Sequence, residues 1–433
     1  MKVLLVNALD SGGGAARAAM RLLHAVRDCG VDASLLVQLR SGDHPHVIGP
    51  STWGERVLAR VAPTLDAASV RLRAGQPRAF FSPAVAPDLV ARKVAELAPD
   101  VVHLHWVGFG MLRVETLRRL GRPVVWTLHD AWALTGGCHV PFDVASGRPC
   151  ARYEDACGRC PVLGSDHDDD LSRRVWSRKR RAWRGVELTA VAPSRWLAAR
   201  ARASSLLRDA RVEVIPNGLD LGRFATLEPS LARAALGLPP GKKLVVFGAQ
   251  AATTDPNKGF PLLAAALRRL ASHPLAPELH LVVFGSDAPS APVSLPCPVT
   301  YLGWIRDDAT LNRLYAAADV VVVPSRLENL PFAVMEAMAS GAPTVAFRQG
   351  GVPDLVDHGE NGYLARPYDV EDLAAGIAWV LGGSVPPAQL RAAARTKVER
   401  GFDVRDVAER HAALYRDVLA ARPALASGRG GLA

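Results

Sequence analysis

Two carboxylates stand close together in the segment SRLENLPFAVMEAMASGAPTVAF, which covers residues 325–347. Glu328 and Glu336 are separated by seven residues, and an apolar run, VVVP, precedes them. One acid lies in a predicted loop and the other in the first turns of a predicted helix, so both can reach the same ligand. The alternative is helix capping, because the helix dipole stabilises carboxylates near its N-terminus. Capping explains one glutamate more easily than two.

The predicted helix also offers groups that bind phosphate. Pro331 suits the first position of a helix because it has no N–H to lose. The N–H groups of Phe332, Ala333 and Val334 would then lack partners within the helix and could bind an anion. The segment therefore predicts an anion site between the two glutamates.

Three further motifs follow predicted strands, where α/β sheets bind their ligands. The Gly-rich turn at residues 11–14 precedes a helix and could approach a phosphate, or could be only a tight turn. His129 ends a strand and could donate to a substrate oxygen, or could be a structural histidine. Lys258 precedes a helix and could neutralise a diphosphate, or could be an exposed loop lysine.

Short apolar runs alternate with helical patterns in two series along the 433 residues. Such alternation predicts parallel sheets in two doubly wound α/β domains, with the active site in the cleft between them. We expect the following divisions: an N-terminal domain at 1–222 with a Cys-rich insertion at about 131–172, a C-terminal domain at 223–400, a final helix at 401–420 that returns to the N-terminal domain, and a disordered tail at 421–433.

These motifs resemble those of a known family. LENLPFAVMEAMASGAPTVAF, followed by GGVPDLVDHGENGYLARPYD, is similar to the donor-site signature of the family 4 retaining glycosyltransferases with the GT-B fold. GGGAARAA, TLHDAWALTGGCH and VIPNGLD fit the same family, in the branch that builds bacterial surface polysaccharides such as colanic acid. The resemblance extends from residue 1 to about residue 375 and implies two Rossmann-like domains facing across a cleft.

The resemblance assigns roles to the residues of the opening segment. Glu328 would contact the hydroxyls of the donor sugar, and Glu336 would accept hydrogen bonds from the ribose hydroxyls of the nucleotide. The backbone around Phe332, Ala333 and Val334 would hold the sugar and the diphosphate. The presence of two acids would then be explained by one ligand that carries two sets of hydroxyls, those of the sugar and those of the ribose.

The same resemblance assigns roles to the other motifs. Gly13 and Gly14 would approach the diphosphate from the N-terminal domain, and His129 would lie beside the reacting sugar. Lys258 would neutralise the leaving diphosphate, since cations stabilise the charge that develops there. Asn217 would border the cleft, although it could equally be a turn residue.

The chain departs from the family pattern near Lys258. Many members pair an arginine with this lysine, but the corresponding stretch here runs through Gln250 and contains no arginine. Arg195 or Arg326 could compensate, or the affinity for the donor could be lower. The family needs no metal for catalysis.

Four of the six cysteines fall within 23 residues, namely Cys138, Cys150, Cys157 and Cys160. A cytoplasmic enzyme does not depend on disulfides, so these thiols could hold a structural zinc ion. Four free thiols are the alternative, because the first gap is wider than in common zinc ribbons.

The net charge of +10 is concentrated in the N-terminal half, most densely at residues 173–184, RRVWSRKRRAWR. Trp176 and Trp183 are seven residues apart and should share one helical face. The helix could contact an anionic membrane surface, or it could pack its tryptophans on the core. No module signature accompanies the charge, so we expect no nucleic-acid partner.

The sequence thus predicts a cytoplasmic retaining glycosyltransferase, with the inner face of the membrane as a further location. The donor would be a UDP-, GDP-, ADP- or dTDP-sugar, and the acceptor a glycan, a lipid-linked group or a small molecule. The alternatives are transfer to a soluble natural product, a GT-B-like nucleotide-sugar epimerase and a non-catalytic scaffold. The absent arginine favours the scaffold, whereas His129, Lys258, Glu328 and Glu336 argue against it.

Overall fold

The computed structural model describes residues 1–74, 77, 79–143, 146–249, 251–289 and 293–421. The predicted disordered tail therefore lies outside the described residues from position 422 onward, and Gln250 also lies outside them.

A seven-stranded parallel sheet forms the N-terminal half, and its short apolar central strands are buried on both faces. Its strands are β1 (Lys2–Leu9), β2 (Asp32–Leu39), β3 (Val47–Ile48), β4 (Val101–Leu104), β5 (Val124–Thr127), β8 (Leu188–Ala192) and β9 (Arg211–Val214), while β6 (Phe142–Asp143) and β7 (Arg148–Pro149) form an antiparallel ribbon in the insertion. The order in the sheet is β3-β2-β1-β4-β5-β8-β9. This order reverses direction beside β1, which places the β1 turn at a topological switch point.

A six-stranded parallel sheet forms the C-terminal half. Its strands are β10 (Lys243–Gly248), β11 (Leu279–Phe284), β12 (Val299–Tyr301), β13 (Val320–Val323), β14 (Thr344–Phe347) and β15 (Gly362–Ala365). Their order is β12-β11-β10-β13-β14-β15, which again reverses beside the first strand. The predicted α/β class with two parallel sheets is confirmed.

Helices cover both sheets, because each helix has one apolar face to bury. The α-helices are α1 (Gly14–Asp28), α2 (Trp53–Ala74), α3 (Val90–Leu97), α4 (Leu171–Ala182), α5 (Arg195–Ala203), α6 (Pro229–Ala235), α7 (Phe260–Arg269), α8 (Asp308–Ala317), α9 (Phe332–Ala339), α10 (Val352–Leu355), α11 (Val370–Leu381), α12 (Pro387–Gly401) and α13 (Val404–Ala420). Short 3-10 helices cover Val114–Arg119, Trp132–Leu134, Arg152–Glu154, Pro256–Lys258, Leu270–Ser272 and Ala276–Glu278.

Helix α4 carries most of the basic run, and Trp176 on this helix and Trp183 directly after it both point inward. Trp176 and Trp183 are buried in the core beside Trp126 and Trp132. Lys179 is also buried, and its ammonium donates to the Thr135 carbonyl at 3.0 Å. Of the two alternatives for this helix, packing of the tryptophans on the core is the one observed, so neither indole is available as a membrane anchor.

The final helix returns to the first sheet. Helix α13 packs against α1, and its apolar face joins the core formed by α1 and strands β1 and β2. The carboxyl ends of the central strands of both sheets, followed by their loops, then face one another across a cleft.

Candidate functional site

A cleft of about 2400 Å³ separates the two halves of the chain. Most of the residues that the sequence singled out line it. These are Gly13, Gly14, His129, Asn217, Lys258, Glu328, Phe332, Ala333 and Glu336. Val334 does not line the cleft, because its side chain is completely buried in the core of the C-terminal half.

The Gly-rich turn meets the start of α9 across the cleft. Gly12 and Gly13 adopt positive φ angles of 76° and 80°, which glycine tolerates best. A Cβ atom on Gly14 would lie 3.5 Å from the Phe332 ring. The N–H groups of Phe332 and Ala333 have no hydrogen-bond partner among the described residues, whereas that of Val334 donates to the Pro331 carbonyl at 3.1 Å. Two free N–H groups therefore face an opposing glycine turn.

Lys258 and Glu328 form an ion pair inside the cleft. The lysine Nζ lies 2.7 Å from Glu328 Oε1. The neighbouring carboxylate raises the pKa of the Lys258 ammonium, so the lysine is charged at neutral pH. The following residue, Gly259, has a φ angle of 75°, and a Cβ there would lie 2.0 Å from the Pro324 carbonyl oxygen. This close approach seats the lysine beside the loop that carries Glu328.

Two consecutive glycines hold the other side of that loop. A Cβ on Gly350 would lie 1.9 Å from the Glu328 carbonyl oxygen, and a Cβ on Gly351 would lie 1.7 Å from the Asn329 carbonyl oxygen. The Gly351 N–H also donates to the Glu328 carbonyl at 3.0 Å. The Gly-Gly pair is therefore required by the backbone of the loop that it packs against.

Replacing Gly351 by alanine is expected to displace the Glu328 loop and destabilise the protein by about 1–3 kcal/mol or more, because a methyl group has no room there. The change should also weaken the binding of any ligand that contacts Glu328. Gly401→Ala is the matched control, since a Cβ at Gly401 would meet nothing within 4 Å. Urea unfolding of both variants checks the result, and equal stability of the two would contradict it.

Glu336 is held by two arginines from the opposite half of the chain. Its Oε1 lies 2.7 Å from Arg17 and 3.0 Å from Arg21, both on α1, and Arg17 also contacts Asp308 at 3.0 Å. Burial nevertheless raises the pKa of the Glu336 carboxyl. The guanidinium of Arg21 also lies 5.0 Å from the centre of the Phe332 ring. Neither arginine could be predicted from the sequence to contact Glu336, because more than 300 positions separate them from it.

His129 pairs with the buried His105 at the carboxyl end of the N-terminal sheet and is itself partly exposed to the cleft. Its Nε2 lies 2.9 Å from Nδ1 of His105, so these two nitrogens share one proton. Burial lowers the pKa of His129 to about 4, and the pKa of His105 is lowered well below its usual range for the same reason. His129 is therefore a neutral imidazole at pH 7.

Asn329 joins the two halves of the chain beside His129. Its Nδ2 donates to the Leu128 carbonyl at 2.9 Å, and its Oδ1 accepts from the Ser194 hydroxyl at 2.8 Å. The position of Asn329 between Glu328 and Glu336 suggests a role in the site, but the sequence does not show that it bonds the segment after β5. It fixes the position of the Glu328 loop relative to the strand that carries His129.

Aromatic side chains form a wall on the N-terminal side of the cleft. The rings of Trp106 and Phe109 meet edge to face with centres 4.8 Å apart, and Phe80 packs on both. Trp106 Nε1 donates to Asp130 Oδ2 at 2.7 Å, and Asp130 also lines the cleft. Aromatic faces beside a carboxylate suit a sugar ring, which has apolar C–H faces and hydroxyl edges.

The residues suggested as substitutes for the missing arginine lie elsewhere. Arg195 pairs with Asp354 at 2.9 Å, and Arg326 lies 5.9 Å from the centre of the Tyr368 ring. Neither lines the cleft, whereas Arg17 and Arg21 do.

The cysteines of the insertion are mostly buried. Burial raises the pKa of Cys157 to about 12 and that of Cys160 to about 11, while Cys138 is buried beside them. In the part of the chain that the structure describes, no group of three or more His, Cys, Asp or Glu side chains could hold a metal ion. A structural zinc ion stays a prediction from the cysteine spacing, which metal analysis of the purified protein would check.

Family models of glycosyltransferases match both halves of the chain. A family model described as Glycosyltransferase Family 4 matches residues 12–223, and one described as Glycosyl transferases group 1 matches residues 241–382. The D-inositol 3-phosphate glycosyltransferase of Mycobacterium sp. (strain JLS) is 31% identical over 307 residues, which cover 68% of this chain and 61% of that protein. The sulfoquinovosyl transferase SQD2 of Arabidopsis thaliana is 28% identical over 334 residues, which cover 74% of this chain and 57% of that protein.

Solved structures show the same fold. The sucrose-phosphate synthase of Thermosynechococcus elongatus aligns with a TM-score of 0.66 at 20% identity, over 97% of this chain and all of that one. Anabaena Alr3699/HepE in complex with UDP-glucose aligns with a TM-score of 0.65 at 20% identity, over 96% of this chain and all of that one.

Both halves of the chain thus match glycosyltransferase models, and the chain belongs to the family 4 glycosyltransferases with the GT-B fold. The match to the two curated relatives spans about three-fifths of their own length. The predicted glycosyltransferase class and fold are confirmed. The comparisons do not identify the predicted surface-polysaccharide branch, because the curated relatives are named as D-inositol 3-phosphate and sulfoquinovosyl transferases.

Proposed function

We propose that the protein transfers a sugar from a nucleoside-diphosphate sugar to an acceptor hydroxyl, with retention of the anomeric configuration. The observation that carries this proposal is the meeting of three kinds of group in one cleft. Lys258 supplies positive charge, Phe332 and Ala333 supply free N–H groups, and the turn at Gly13 lets the backbone approach closely. A diphosphate fits all three.

The two glutamates would bind different parts of the donor. Glu328 lies in the loop beside Lys258, where it can accept hydrogen bonds from the sugar hydroxyls. Glu336 lies on α9, one helical turn after Phe332, and its carboxylate contacts the guanidinium groups of Arg17 and Arg21. The ribose would bind there. These arginines add positive charge at the edge of the diphosphate site, which offsets the missing arginine near Gln250.

Departure of the diphosphate is the step that these groups assist. As the glycosidic bond breaks, negative charge grows on the diphosphate oxygens, and preorganised donors stabilise it without having to reorganise. The acceptor hydroxyl attacks the same face that the diphosphate leaves, and the departing diphosphate takes its proton. His129, a neutral imidazole at the carboxyl end of β5, borders the reacting sugar and can donate one hydrogen bond to it.

The acceptor binds against the aromatic wall of the N-terminal half. Trp106 and Phe109 offer apolar faces, and Asp130 offers a hydrogen-bond acceptor beside them. This chemistry suits a glycan or a glycolipid head group, and we place the enzyme in polysaccharide or glycolipid biosynthesis. One solved structure with the same fold, that of WaaG, is described as a glycosyltransferase involved in lipopolysaccharide biosynthesis.

Thermal unfolding in the presence of nucleotides tests the proposal. A ligand at a hundredfold excess over its Kd should stabilise the folded protein by about 2.7 kcal/mol and raise the Tm by several degrees. We expect UDP to give the largest rise among UDP, GDP, ADP and dTDP, since solved neighbours hold UDP and UDP-glucose. Absence of a shift with all four would refute the nucleotide-sugar donor and favour a scaffold.

A further inference from the structure

The outer face of helix α2 carries an unusual number of exposed apolar side chains. Of the large apolar side chains that are exposed in the described residues, half lie on this helix, at Trp53, Val57, Val61, Leu65 and Leu72. Trp53 and Leu72 are 79% and 87% exposed. Their spacing of four and seven residues places them on one stripe along the helix.

The opposite face of α2 is fixed against the N-terminal sheet, so the stripe cannot turn inward. Ala59, Ala62 and Val70 are buried there. Gln38 Nε2 donates to the Ala59 carbonyl at 2.9 Å, and Asp66 Oδ1 accepts from the Val85 N–H at 3.0 Å. The apolar stripe is therefore a stable outer surface of the folded domain.

The charges of α2 are divided between its faces. Its two acidic residues, Glu55 and Asp66, are both buried. Arg56, Arg60 and Arg71 are exposed and follow one edge of the apolar stripe. The outer face of the helix thus combines apolar side chains with positive charge and presents no carboxylate of its own.

This distribution of apolar and positive side chains favours an anionic lipid surface over a second copy of the chain as the partner of α2. A second copy docking through the same face would bring a second set of the same three arginines into the interface, because a twofold interface uses the same patch on both subunits, and neither helix offers an exposed carboxylate to pair with them. An anionic lipid surface complements both properties, since the acyl region receives the apolar stripe and the head groups receive the arginines.

The position of α2 also connects it to the cleft. Gln38 Nε2 bonds both the Ala59 carbonyl on α2 and the Phe109 carbonyl, at 2.9 Å and 3.0 Å. Phe109 lines the cleft as part of the aromatic wall, and the half-exposed Phe80 extends that wall outward. Within the described ranges, no helix has the length and hydropathy needed to cross a bilayer.

We propose that helix α2 lies flat on an anionic membrane surface and docks the N-terminal domain there, with the aromatic wall close to the lipid head groups. The apolar stripe inserts and the arginine edge binds the phosphate groups of the lipids. Docking itself does not depend on the donor chemistry. A lipid-linked acceptor would then reach the cleft without leaving the membrane.

Sedimentation with vesicles tests the docking. We expect the full-length protein to pellet with vesicles of equal parts phosphatidylcholine and phosphatidylglycerol, and far less with phosphatidylcholine alone. Val61→Glu combined with Leu65→Glu should weaken binding to the anionic vesicles by about tenfold or more. The matched control is Leu227→Glu combined with Leu231→Glu, which changes two exposed leucines four residues apart on the other domain and should bind as the wild type does.

A second pair of variants tests the charge. Arg56→Gln combined with Arg60→Gln should reduce the preference for anionic vesicles by about tenfold or more, and added salt should do the same to the wild type. The proposal fails if the wild type does not bind anionic vesicles at low salt, or if the α2 glutamate variant binds as well as its control. It also fails if light scattering shows a dimer that the α2 glutamate variant converts to a monomer, since the stripe would then be a subunit contact.

Discussion

Replacing Lys258 by alanine is expected to lower kcat for sugar transfer by about 10²- to 10³-fold, with a smaller change in KM for the donor. The ammonium is 2.7 Å from Glu328 and faces the site proposed for the diphosphate. Charge grows on the diphosphate only as the bond breaks, so the lysine contributes more to the transition state than to the bound donor. Steady-state release of the nucleotide, with and without acceptor, measures the effect.

The C-terminal half provides a matched control for this experiment. Lys397 pairs with Asp357 at 2.8 Å and has a side-chain exposure of 26%, against 23% for Lys258, but it does not line the cleft. Lys397→Ala should keep full activity, and Lys258→Arg should recover part of it because the charge is retained. If Lys258→Ala were no slower than Lys397→Ala while both kept the wild-type Tm, Lys258 would have no part in stabilising the leaving group.

Local patterns in the sequence were sufficient to predict the elements that carry the site. The short apolar runs of β1, β5, β10 and β13 end at the residues that line the cleft, because parallel strands bury both faces and turn polar where they end. The pairing of Lys258 with Glu328 was not predicted, although both were assigned to the donor. Their closeness depends on how the β10 and β13 loops meet, which neither segment encodes alone.

Contacts between the two halves of the chain could not be predicted. Arg17 and Arg21 occupy an amphipathic helix, where charged residues normally face solvent. Only the opposing domain reveals that they face Glu336 instead. The tryptophans of the basic run illustrate the same limit, because their spacing predicted one shared helical face but did not show that this face is turned inward.

Lowering the pH from about 6.5 towards 4 is expected to destabilise the N-terminal half steeply. Four imidazoles form a row from α13 to the cleft, in the order His411, His103, His105 and His129, with neighbouring ring centres 4.3–5.4 Å apart. The first three are buried, and His129 is partly exposed to the cleft. Burial lowers the pKa of His411 and His129 to about 4, and it lowers those of His103 and His105 well below the usual range. The folded protein therefore resists taking up protons that the unfolded chain binds readily.

The direction of the effect follows from this difference. The unfolded histidines have a pKa near 6.5, so stability is fully present above that value and declines as the pH falls below it, until the folded His129 and His411 titrate near 4. For His129 and His411, the shift from 6.5 to about 4 corresponds to a loss on the order of 3 kcal/mol each. Asp130 partly opposes the shift at His129, because its carboxylate favours the imidazolium.

A single substitution can isolate one member of the row. The His411 ring packs beside His103 and donates through Nδ1 to the Val407 carbonyl at 2.9 Å, while its buried Nε2 has no partner in the described part of the chain. His411→Phe keeps a ring of similar shape and removes the titrating group, so its urea midpoint should fall less than that of the wild type between pH 6.5 and 4.5. His167→Gln, on an exposed side chain of the insertion, should leave the slope of the wild type unchanged. Equal slopes for the wild type and His411→Phe would mean that buried His411 does not contribute to the acid sensitivity, and that protonation elsewhere unfolds the domain first.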